Sequence, residues 1–203
     1  MTNSRSLTKH KYSGIKLKDA MQLLGRETLT LWQPDAPARP PSDMLLGHLA
    51  RLNSFDLRST GQGKTLLIDA LFAEVVPIHP NLKVWKAAAL DTDTLTGVAD
   101  YLIAPFRAYL ETPLLCVTEA KRDDFERGQA QCLAEMYACA WNNRQAGHDV
   151  DVYGIVSNGQ GWLFYKWERG GDVFETEQYA ISDMPHLLGL LHYVCGECAR
   201  LVP

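Results

Sequence analysis

Apolar positions in the first third of the chain recur at helical spacing. From Ile15 to Trp32, Leu17, Met21 and Leu24, with Thr28 and Leu31, fall on one side of a predicted helix. Four prolines between Gln33 and Pro41 forbid regular structure there. Ser42 then reads as the cap of a second helix with Leu45, Leu46, Leu49 and Leu52 on its apolar face, running out near Asp56 to Gly63. A third helix is predicted from Lys64 to Val76, where Leu67, Leu71 and Val75 recur every fourth residue and Asp69 and Glu74 are the acids.

Beyond that point the pattern changes to strands. Leu82–Leu90, a turn at Asp91–Thr94, Gly97–Ala104 and Leu114–Lys121 predict a three-strand meander. Phe125 to Asn142 is strongly apolar and helical, with Asn142, Asn143 and Gly147 as stop signals. Val150–Ser157 and Gly161–Trp167 predict a hairpin around Asn158-Gly159-Gln160. Gly170-Gly171 turns the chain into a short strand, Val173–Tyr179, and Ser182–Ala199 closes as a helix. This order predicts an α/β fold, a mixed central β-sheet flanked by helices. Residues 1–63 form an N-terminal helical extension and 64–203 the core, together one compact unit.

One strand ends abnormally. Pro113 to Thr118 is apolar and β-branched enough for a core strand, yet it runs straight into Glu119-Ala120-Lys121-Arg122-Asp123-Asp124. Side chains alternate along a strand, so Glu119 and Lys121 share a face about 6.6 Å apart, with the Ala120 carbonyl between them. Asp100, in Gly97-Val98-Ala99-Asp100-Tyr101, lies on the neighbouring strand of the meander. Two acids and a backbone carbonyl are hard oxygen ligands, so Asp100, Glu119 and Ala120 are the candidate metal-binding set for Mg2+ (or Mn2+). A metal there would polarise a phosphoryl oxygen and activate a water, with Lys121 orienting that water. The competing reading is a surface ion pair between Glu119 and Lys121.

Asp100, then Glu119-x-Lys121, then a glutamine-bearing helix with Gln129-Ala130-Gln131 resembles the PD-(D/E)XK nuclease superfamily. The likeness spans Asp69 to Trp167 as an order of elements, and Ala99 stands where the superfamily usually has proline. The stretch from Glu119 to Gln131 is similar to bacterial nuclease-like domains found beside restriction systems. The resemblance implies a restriction endonuclease-like fold and a Mg2+-dependent endo- or exodeoxyribonuclease serving restriction, repair or mobile-element defence. It also implies Gln131, or Gln129, facing the site and Glu74, or Asp69, as the helix acid. A different class of reading remains beside it: a catalytically silent nuclease-fold module that binds nucleic acid or protein.

Charge qualifies this picture. The net charge of −4 gives no general attraction to a polyanion, so the grip on DNA must be local. Arg122 and Arg127, flanking the site, are the candidate nucleic-acid-binding residues, with Lys9, Lys11, Lys16 and Lys18 as a basic group near the N-terminus. So short a chain would draw specificity from a homodimer or a partner protein. The polar N-terminal residues and the lack of a long apolar run predict a cytoplasmic protein with no membrane association. Five cysteines among apolar neighbours read as reduced core thiols, and Cys195-x-x-Cys198 lacks the second pair that a zinc site needs. Gly61-Gln62-Gly63-Lys64-Thr65 invites a phosphate-loop reading, but Arg58 stands in the place of the first glycine and no strand precedes it. The six histidines show no ligand spacing.

Overall fold

The computed structural model describes residues 9–57, 61–120, 125–169 and 171–202. Helix α1 (Leu17–Leu24) is shorter than its apolar pattern suggests. Gly25 takes a left-handed conformation (φ 67°), its N–H reaches the Gln22 carbonyl, and the Arg26 N–H reaches that of Met21. This glycine ends the helix and turns its last carbonyls inward. The chain expected to stay helical to Trp32 instead forms a two-residue strand, Thr30–Leu31. Helix α2 (Asp43–Leu52) starts as expected, with Ser42 Oγ accepting the Leu45 N–H at 3.1 Å. Helix α3 spans Gly61–Val75.

The sheet is α/β in arrangement and mixed in direction. In chain order its strands are β1 (His10–Lys11), β2 (Thr30–Leu31), β3 (Leu82–Asp91), β4 (Leu95–Pro105), β5 (Cys116–Ala120), β6 (Val152–Ser157), β7 (Gly161–Trp167), β8 (Val173–Glu175) and β9 (Tyr179–Ala180). Among the described residues they form one nine-stranded sheet ordered β1-β4-β5-β6-β7-β8-β2, with β3 on β4 and β9 on β7. The meander β3-β4-β5 is antiparallel, whereas β5 and β6 are parallel and joined across the sheet by helix α4 (Phe125–Gln145). Parallel neighbours require such a crossover. Strands β1 and β2, two residues each, are too short to give a sequence period.

Two apolar layers enclose the sheet. One gathers Tyr12, α1 and α4 against Val117 and Leu102; the other gathers α2, α3 and helix α5 (Met184–Arg200) against Cys116 and Ile103. The N-terminal segment therefore belongs to the core layers, with Ala20, Met21 and Leu24 in the first and Leu45 and Leu52 in the second. Helix α4 seats closely because β6 has a glycine beneath it. A Cβ on Gly154 would lie 2.7 Å from Cys132 Sγ and closer still to Met136 Sδ.

Asn142 and Asn143 do not stop α4, which continues to Gln145 before Gly147 (φ 84°) turns the chain. Asn143 is buried: its Oδ1 accepts the Leu114 N–H at 2.6 Å and its Nδ2 donates to the Leu114 carbonyl at 2.8 Å. The side chain substitutes for a strand neighbour just before β5, which is why a residue that reads as a helix breaker sits inside the helix. Replacing it strands two buried backbone groups, each costing about 1–3 kcal/mol. Asn143→Ala is expected to lower the unfolding free energy by about 2–4 kcal/mol in urea titration. A change below about 0.5 kcal/mol, the usual size for surface substitutions, would contradict this anchoring role.

Candidate functional site

The β4-β5 register pairs Ile103 with Cys116, Leu102 with Val117 and Tyr101 with Thr118. Asp100 and Glu119 are the next residues on the two strands beyond the last of these pairs. Asp100 Oδ2 accepts the Ala120 N–H at 2.8 Å, so the carboxylate is held against the end of β5. Asp100 also lies at a break in the hairpin. Lys86 pairs with Tyr101 and Ala88 with Ala99, while Ala87, between them, has φ 50°. A left-handed alanine costs about 1–2 kcal/mol. On one side of the break, Leu82, Tyr101 and Ile103 enter the layer with α3; on the other, Ala88, Leu90, Leu95 and Ala99 enter the layer with Tyr12 and α1.

Glu119 is 2% exposed, and its Oε2 accepts Gln131 Nε2 at 2.8 Å. The same Nε2 donates to Glu135 Oε1 at 2.9 Å, and Glu135 is fully buried. Gln131 and Glu135 stand one turn apart on α4, so a single amide joins a strand carboxylate to a helix carboxylate. Buried carboxylates are tolerated only where donors, cations or protons offset their charge. Cys132, also on this helix, is held well above the ordinary thiol range by burial first, with Glu135, Cys116 and Glu119 adding to it. It is a neutral core thiol and no nucleophile.

The remaining candidates separate. Gln129 Nε2 donates to Glu175 Oε1 at 2.7 Å, where the Tyr165 hydroxyl also donates, so Gln131 is the glutamine that meets Glu119. Glu74 accepts the Ser42 N–H at 2.9 Å and the Ser42 hydroxyl at 2.8 Å, which places it at the start of α2. None of these bonds joins it to Asp100, Glu119 or Gln131. Among the helix acids, Asp69 is the one on the sheet: it accepts Lys86 Nζ at 2.7 and 2.9 Å and the Tyr101 hydroxyl at 2.9 Å. Burial, reinforced by Asp69, keeps that hydroxyl well above the phenol range. Tyr101 packs in the α3 layer, so Asp69 approaches the strand from the side opposite α4. Lys121 and Arg122 lie outside the described residues. Arg127 is exposed and donates to the Ser13 carbonyl at 3.0 Å. Sequence patterns missed Glu175 and Lys86, whose partners come from distant elements; no local spacing marks them.

Among the described residues no group of three or more His, Cys, Asp or Glu side chains is placed to hold a metal ion. Asp100 and Glu119 supply two carboxylates and Ala120 a carbonyl, a donor set suited to Mg2+ completed by waters. Cys195 and Cys198 are free and buried in the core. Among the described residues no helix is long and apolar enough to cross a membrane. The chain is thus an α/β protein with a mixed central sheet flanked by helices. No protein-family description and no curated protein sequence matches it.

The Gln131 bridge can be tested directly. Gln131→Leu removes two hydrogen bonds to carboxylates, each worth about 1.5–3 kcal/mol, whereas Gln131→Glu adds a third acid to the cluster. At pH 7 Gln131→Glu is expected to be the less stable of the two by urea titration. The reverse order would contradict a bridge in which one amide serves both glutamates.

Proposed function

We propose that the protein is a Mg2+- or Mn2+-dependent nuclease that hydrolyses phosphodiester bonds in DNA. The observation that carries the reading is the convergence at the end of β5. Asp100 is bonded to the Ala120 amide and Glu119 to Gln131 of the next helix, in the order that the PD-(D/E)XK resemblance implies. The succession α3, the antiparallel β3-β4-β5, α4 and a β6 parallel to β5 also agrees with a restriction endonuclease-like fold.

Asp100, Glu119 and the Ala120 carbonyl would hold the ion, which when bound supplies Lewis-acid activation of a phosphoryl oxygen and of a water. The Ala120 amide fixes the Asp100 carboxylate, and Gln131 fixes that of Glu119. Lys121, next after Ala120, orients the attacking water and offsets charge in the transition state. Gln131 acts through Glu119 and is a positioning residue.

One observation favours the second reading, a nuclease-fold module that binds nucleic acid or protein without turnover: Asp100 Oδ2 and Glu119 Oε2 are both engaged in internal hydrogen bonds. Cleavage assays separate the two. Purified protein with Mg2+ or Mn2+ is expected to nick or degrade at least one of supercoiled, linear duplex and single-stranded DNA, and EDTA to stop it. Asp100→Asn is expected to abolish cleavage, and Lys121→Ala to lower it by about 10²–10⁴-fold. Cleavage that persists equally in both variants would be contamination and would leave the silent module standing.

A further inference from the structure

We infer that the N-terminal segment forms the grip on the substrate: Lys16 and Lys18, together with Arg127, bind backbone phosphates of the nucleic acid beside the scissile bond. This rests on the nuclease reading and names a part of the chain that the reading does not require.

The segment is packed against the strand and the helix that carry the site residues. Strand β1 pairs in parallel with the start of β4, and Lys9 Nζ lies 3.5 Å from Asp91 Oδ1. Tyr12 is 1% exposed and fits over Gly97, where a Cβ would come 3.2 Å from its Cε2 and nearer to Cδ2. Arg127 on α4 then ties down the Ser13 carbonyl. These contacts carry residues 13–18 past the first turn of α4. A cleft of about 560 Å3 opens between them, lined by Lys16, Lys18, Arg127, Glu126 and Ala130 among others. Arg127 precedes Gln131 by one helical turn, about 6 Å along the axis, so the cleft adjoins the residue that holds Glu119.

Charge selects the occupant. The protein is acidic overall, and five of its twenty lysines and arginines are held by acids in these pairs: Lys9 by Asp91, Arg26 by Asp172, Lys86 by Asp69, Arg107 by Glu111, Lys166 by Asp151 and Glu168. Lys16 and Lys18 are exposed and make no ion pair among the described residues. Among the described residues, Lys16 and Lys18 bring two such cations to the cleft, which Glu126 and Arg127, the latter bonded to the Ser13 carbonyl, also line. A polyanion next to a phosphodiester site is the ligand that such a local surplus fits, because each phosphate it neutralises releases a condensed counterion.

The test uses the full chain carrying Asp100→Asn, so that binding is read without cleavage. Labelled duplex and single-stranded oligonucleotides are titrated by fluorescence anisotropy at several salt concentrations, with and without Lys16→Gln plus Lys18→Gln. The double change is expected to weaken binding and to flatten the slope of log K against log salt by about 1.8 on duplex DNA or about 1.4 on a single strand. Lys9→Gln, whose partner is Asp91, is expected to change neither. Equal melting temperatures would show that the fold is intact; should the double variant melt lower, Lys18→Gln alone is expected to remove about half of the slope change. Unaltered affinity and slope in a protein whose wild type cleaves DNA would overturn the grip and leave the nuclease reading intact. Absence of both cleavage and binding in the wild type would overturn both.

Discussion

The structure depends on how one helix is fixed to one strand. Helix α4 crosses β5 with Asn143 bonded to both backbone groups of Leu114 just before the strand and Gln131 bonded to Glu119 near its end. Twelve helical residues rise about 18 Å, and five strand residues span about 16.5 Å, so the two amide side chains meet their partners without bending either element. Between them the contact is apolar, and Gly154 on the adjoining strand lets the helix approach. The consequence is chemical. The acid at the end of the strand is buried beneath a helix, where Gln131 donates to Glu119.

The same fixture explains why the acids are found where they are. Carboxylates avoid interiors because desolvation is costly, so a cluster of Glu119 and Glu135 around one glutamine is a poor device for stability alone. Under the proposed nuclease reading it holds an oxygen ligand ready for a cation. Asp100 is fixed by different means, through the Ala120 amide, at the position where the β3-β4 hairpin changes the face that it buries. Backbone strain at Ala87 and a captured carboxylate directly across from it are the kind of cost that functional sites carry. Under the proposed grip, the N-terminal segment adds Lys16 and Lys18 beside α4 on a protein of net negative charge.

Much of this was legible in the sequence where one local signal governs. Ser42 announced the start of α2. The strand predicted over Leu114–Lys121 is found over Cys116–Ala120. Signals failed where a distant partner decides. Asn143 reads as a helix stop because its role as a surrogate for a strand neighbour needs Leu114, 29 residues earlier. Glu74 reads as a site acid by its helix position, but the preceding loop delivers Ser42 to it. Gly25 lies inside an apolar period that points to a longer helix, and its left-handed φ ends α1. The N-terminal lysines carried no local sign of where they fold, since their placement comes from β1 pairing with β4 and from Tyr12 packing over Gly97.

The account turns on Asp100, Glu119 and the Ala120 carbonyl sharing one cation. Anomalous diffraction from crystals soaked in Mn2+ measures this most directly. The expected result is a peak bonded to both carboxylates and to the carbonyl, with oxygens at roughly the 2.0–2.2 Å typical of small divalent ions and waters completing the shell. Crystals saturated with Mn2+ that show no peak between Asp100 and Glu119 would contradict it.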